Sequence, residues 1–223
     1  MENLLTNAFD FTEIFSNIKE SWYMYLGLAL IIVALIVTFT LVKPKRKLSL
    51  SPTQKIVYIA LLTAICTVFN AFVTFYPVSY IAISFNATVC FVAGFLLGAK
   101  SGFAVGFLGD LLGAILFPQG VYNPLIGLAS GLMGLIPGIL FDYFYGNKYL
   151  KVVISAVLCL VICTSGLNTL GLYLIYGLGR KTFWAYLIVR LPWQALVGAG
   201  NCILCIGLAT LLPKVLPKRF GVK

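Results

Sequence analysis

Asp110 and Arg190 are the residues of this chain with the most chemistry to offer, because each lies inside an apolar run where an unpaired charge is costly. A carboxylate can accept two parallel N–H bonds from an amino-heterocycle, and a guanidinium can grip a carboxylate in the same two-pronged way. At helical spacing Arg190 is flanked by Phe183 and Tyr186 on one side and by Trp193 and Gln194 on the other. Pro192 cannot bond back to the carbonyl of Ile188, which predicts a kink and a free acceptor beside the arginine. Around Asp110 the same spacing collects Phe103, Phe107, Ala114 and Phe117. Placed by helical rise, Asn70, Asn86, Asp110, Asn168 and Arg190 fall about 7–12 Å below one membrane surface. Polar residues on several helices at one depth predict a water-accessible cavity for a planar, polar, anionic solute, with the aromatic rings stacking on it. Asp110 and Arg190 can also neutralise each other, and such a pair would close an empty site and open for a ligand.

Other chemistries lack their residues. The chain has no His, so the commonest general base and metal ligand is missing. All six Cys (Cys66, Cys90, Cys159, Cys163, Cys202 and Cys205) sit in apolar runs, where thiols behave as small hydrophobes. Cys202-x-x-Cys205 has metal or redox spacing but no second pair, so no metal site is expected. Only Asp110 and Asp142 are acidic beyond the first 21 residues, and no phosphate-binding glycine-lysine loop accompanies them. The chain therefore does not read as an enzyme, and it cannot use ATP by itself.

The elements that must position these residues are membrane helices. Of 223 residues 61% are hydrophobic and 10% charged, beyond the range of a soluble domain. The apolar runs are about 20 residues or longer, the length of spanning helices rather than barrel strands. Residues 22–42 form one span, followed at once by Lys43-Pro-Lys-Arg-Lys47. Six further spans are expected near 54–75, 81–99, 101–117, 124–145, 150–176 and 182–212. The net charge of +10 lies mostly in the short connections, as topology determinants do, and not on a nucleic-acid surface. Threading the basic residues to the cytoplasm puts the N-terminus outside and the C-terminus inside a multi-pass cell-membrane protein. The expected organisation is an all-α integral membrane protein with two parts. Residues 1–50 supply an outer segment, the extra helix and a basic linker, and 51–223 a six-helix substrate-binding body.

Within that body, Gly102, Gly106, Gly109 and Gly113 repeat the spacing of Gly127, Gly131, Gly134 and Gly138. Each set traces one helical face, and bare faces let backbones approach closely in lipid. Asp110 points to a different side, toward the cavity. The turn from Pro118 to Asn123 lies at the cavity mouth, making Tyr122 and Asn123 candidate gate and binding residues. Asn123-Pro124 also has the form of a helix start.

Residues from about 50 to 215 resemble the substrate-binding S components of energy-coupling factor (ECF) vitamin transporters, most nearly their folate family. The resemblance rests on the six-helix body, the Gly109-Asp110 segment, the hairpin FPQGVYNPLIGLASGLMGLIPG and Ala60-Leu-Leu-Thr-Ala64 in the first helix of the body. It implies capture of a vitamin from outside, with uptake driven by partners: a transmembrane coupling T component and two ATPases that use the ATP. It also implies that Ala60 and Ala64 dock on the T component. The small-xxx-small spacing is suited to such a contact. A pterin's amino-oxo edge suits Asp110 and a glutamate tail suits Arg190, but pantothenate, riboflavin or a queuosine precursor remain alternatives. A structural membrane subunit whose polar residues are interhelical glue is the rival class. The helix at 22–42 departs from the usual six-helix body. The expected binding set is Asp110, Arg190, Asn86, Asn168, Gln194, Trp193, Tyr122, Asn123, Phe107 and Tyr186.

Overall fold

The computed structural model describes residues 50–78, 81–117, 123–173 and 183–215. The expected helix at 22–42, the basic linker and Tyr122 lie outside the described residues. The described chain runs α1 (Pro52–Phe72), a short hairpin of β1 (Phe75–Val78) and β2 (Ile81–Ile83), α2 (Asn86–Leu97) and α3 (Ala99–Leu116). It continues with α4 (Pro124–Tyr143), α5 (Lys148–Leu172) and α6 (Phe183–Val215). Five of these helices are long and apolar enough to cross a membrane.

α2 departs from expectation. A full span was predicted at 81–99, but Ile81–Ile83 pairs antiparallel with β1, and the helix starts only at Asn86. Its 12 residues rise about 18 Å, short of the bilayer core. Gly98, at φ 85°, ends it and turns the chain straight into α3. α2 is apolar all round because it is enclosed: ten of its twelve residues are buried.

α1 starts with a reciprocal cap: Ser51 Oγ accepts from the Gln54 N–H, and Gln54 Oε1 accepts from the Ser51 N–H. α4 starts at Asn123, whose Oδ1 accepts from the Leu125 N–H at 2.9 Å with Pro124 in the first turn.

The glycine stripe of α3 is shared between two neighbours. A Cβ on Gly102 would strike the backbone carbonyl of Gly134, and one on Gly106 the carbonyl of Ser130, so this half lies backbone to backbone on α4. Gly109 and Gly113 instead receive Cys66 and Asn70 of α1. Gly94 of α2 also meets the Gly134 carbonyl, so α2, α3 and α4 converge on one tight junction. Residues 159–168 of α5 are wound as a π-helix. The hydroxyls of Thr164 and Thr169 donate five residues back, to the carbonyls of Cys159 and Thr164, which matches that wider winding.

Candidate functional site

A cavity of about 240 Å³ lies between the α1–α4 assembly and the pair α5–α6. One wall carries Asn70, Thr74, Ser84, Asn86, Asp110 and Ser130; the other carries Thr164, Asn168, Arg190, Trp193, Gln194 and Asn201. Between them Phe91, Ile126, Met133, Leu160, Leu172 and Val197 give it an apolar interior. Along α6 the lining runs from Arg190 to Cys205, about 22 Å by helical rise. The sequence placed the polar residues in one half of the membrane, and the cavity reaches further than that. Gly198, Ser155 and Ala156 are too small to fill the deeper space, and Asn201 is held at its wall by Thr88 (2.6 Å) and the Ser84 carbonyl (3.1 Å).

Asp110 is buried, and its Oδ1 accepts both from Asn70 Nδ2 (3.1 Å) and from Ser130 Oγ (3.3 Å). Both donors therefore serve one oxygen, leaving Oδ2 for another partner. The register explains the arrangement: one residue past Gly109, the carboxylate emerges where α1 and α4 both come close to α3.

Arg190 is equally buried, with its guanidinium 5.6 Å from the ring centroid of Tyr186. Among the described residues its Nε and Nη1 have no hydrogen-bond partner, nor has Oδ1 of Asn168 on the same wall. Asp110 and Arg190 do not form an ion pair among the described residues; the carboxylate is held by neutral donors instead. A buried guanidinium with idle donors is a costly arrangement that an anionic ligand would relieve.

The other expected binding residues divide. Asn86 and Asn168 line the cavity. Trp193 lines it too but is 45% exposed, with part of its ring on the outer surface. Tyr186 is not among the lining residues; its ring contacts the Arg190 guanidinium. Gln194 is spent on structure as well as lining: its Nε2 donates to the Thr164 carbonyl (3.3 Å) and Thr169 Oγ1 (3.0 Å), and its Oε1 accepts from Ser165 (3.0 Å). It thereby clamps α6 to the π-helical part of α5.

Besides Tyr186, two more positions depart from the expectation. Phe107 is not among the lining residues. It stands about 60° round the helix from the inward-facing Asp110 and stacks on Phe103, one turn back, with ring centroids 6.0 Å apart. Asn123 is likewise absent from the lining; its side chain is used up capping α4 and donating to the Gly171 carbonyl at 2.8 Å. Ala60 and Ala64 both lie on the exposed side of α1. Ser130, Ser84 and Thr164 were not anticipated as site residues. Hydroxyls are common in spanning helices, and only the register of Ser130 opposite Asp110 would have marked one of them.

The chain matches the family described as "ECF transporter, substrate-specific component" over residues 54–209. It is 25% identical over 153 residues to the folate transporter FolT of Clostridium novyi (strain NT), covering 68% of this chain and 85% of that protein. Its fold is similar to the crystal structure of FolT bound with folic acid, with a TM-score of 0.62 and 26% identity over 70% of this chain and 92% of that one. With the matched region containing the whole described cavity, the chain belongs to the family of substrate-specific components of ECF transporters, which are transport proteins and not enzymes.

Proposed function

We propose that this chain captures folate or a closely related pterin in the cavity between α3 and α6 and hands it to an ECF importer. The observation that carries this reading is the polarity of the cavity: among the described residues, Nε and Nη1 of Arg190 stand without partners on one wall and Oδ2 of Asp110 stands open on the other. A ligand with an N–H-bearing heterocycle at one end and a carboxylate at the other satisfies both, and the apolar interior suits the aromatic part between. The relative and the solved structure named above, a folate transporter and FolT bound with folic acid, support the same choice. The N-terminus lies outside and the C-terminus in the cytoplasm, and substrate enters from outside. Residues 1–50 form an appendage to the binding body. The chain binds no cofactor; ATP is spent by the ATPases that act through the T component, against which Ala60 and Ala64 dock. Equilibrium titration of detergent-purified protein with folic acid, pantothenate, riboflavin and a queuosine precursor tests the proposal. Folic acid binds most tightly, with Kd below about 10 μM; no vitamin binding at that level, or another vitamin ranking first, overturns it.

A further inference from the structure

The donors and acceptors at the Asp110 end of the cavity define the kind of ring edge that fits there. Cys66 Sγ donates to Asn86 Oδ1 at 2.7 Å, and Cys90 Sγ approaches the same oxygen at 3.8 Å. With both thiols against its Oδ1, the Asn86 amide turns its Nδ2 away from them. Its Nδ2 makes no hydrogen bond among the described residues and belongs to a cavity-lining side chain. Asn70 is the mirror case: its Nδ2 is used on Asp110, so its Oδ1 remains open. Asp110 keeps Oδ2 open, as described above. Cys66 packs against Gly109, the residue before Asp110, so the thiol pair, the amide and the carboxylate form one cluster.

We infer that this cluster reads a 2-amino-4-oxo pyrimidine edge, with Asn86 as the residue that selects the oxo group. The cluster offers two acceptors, Asn70 Oδ1 and Asp110 Oδ2, and one donor, Asn86 Nδ2. The edge of such a ring offers the complement: an amino group, a ring N–H and a carbonyl oxygen. A 4-amino analogue replaces the carbonyl with a donor and the ring N–H with a lone pair, so it sets donor against Asn86 and lone pair against Asp110. Riboflavin fails differently, since its ring N–H is flanked by two carbonyls. The inference rests on the pterin reading of the cavity and deepens it.

The test compares folic acid with aminopterin, which differs from it in bearing a 4-amino group in place of the 4-oxo. Wild-type protein should bind folic acid at least about tenfold more tightly, the discrimination expected of a polar group facing the wrong partner. Asn86→Asp should reduce or invert that ratio by about tenfold, because a carboxylate accepts from the 4-amino group. Asn70→Ala should weaken both ligands alike, since both carry the 2-amino group. Equal wild-type affinity for the two ligands overturns the assignment with no variant needed, and so does an Asn86→Asp protein that loses both ligands in proportion. If Asn86→Asp cannot be purified, Asn86→Ala serves, and an unchanged ratio there is equally contrary. Failure of wild-type protein to bind folic acid at all would instead remove the pterin reading itself.

Discussion

Asp110 on α3 and Arg190 on α6 line one cavity, and each keeps hydrogen-bonding capacity that the other does not use. Asn70 and Ser130 hold the carboxylate through a single oxygen, while Nε and Nη1 of the guanidinium have no partner among the described residues. A structural ion pair would have spent both groups on each other. The arrangement instead keeps the two charges apart, available to opposite ends of a third molecule.

Replacing Asp110 with Asn preserves shape and removes the charge. Folic acid and 6-hydroxymethylpterin, which share the heterocycle, should both bind about tenfold or more weakly, as loss of a charge-assisted hydrogen bond predicts. Calorimetric titration checks this, and unchanged affinity for both would separate Asp110 from the ligand.

The exposed side of α1 carries Ala60 and Ala64. Ala60→Trp places a bulky ring where a partner helix would lie, so folate uptake by cells should fall to background while binding by the purified protein stays within about twofold. Loss of both activities would mean that this face is needed for folding rather than docking.

The backbone contact between Gly102 and Gly134 leaves no room for a side chain. Gly134→Ala should destabilise the fold by about 1–3 kcal/mol, seen as a lower Tm in detergent. Gly200→Ala is the control: a Cβ there meets nothing within 4 Å, so Tm should hold or rise.

Asn123 supplies both the α4 cap and a bond to the Gly171 carbonyl on α5. Asn123→Ala should cost about 1–2 kcal/mol, a stability loss with no change in the preference among ligands. Thermal denaturation and a repeat of the vitamin titration measure the two effects separately.

Much of this architecture was legible because lipid imposes strict rules on sequence. Span length and the glycine spacing each follow from a physical constraint that a single chain displays. The cost of burying charge likewise singles out Asp110 and Arg190 in the sequence. Hydropathy could not reveal that Ile81–Ile83 pairs as a strand, because a short apolar run reads alike in both conformations. Nor could it show the π winding at 159–168, within which the Thr164 carbonyl accepts from Gln194 of α6. Asn123 and Phe107 show the same limit at the site: residue type suggested binding, whereas their partners, Gly171 and Phe103, are set by tertiary contacts.

The central claim is that the cavity reads a ligand at two ends, and Arg190→Gln tests it most directly when titrated with folic acid and with 6-hydroxymethylpterin, which has no carboxylate. Truncating a buried charged contact costs about 2 kcal/mol or more, so folic acid should bind at least about 30-fold more weakly. Binding of 6-hydroxymethylpterin should stay within about threefold of wild type. Equal losses for the two ligands, or no loss for folic acid, would contradict the account.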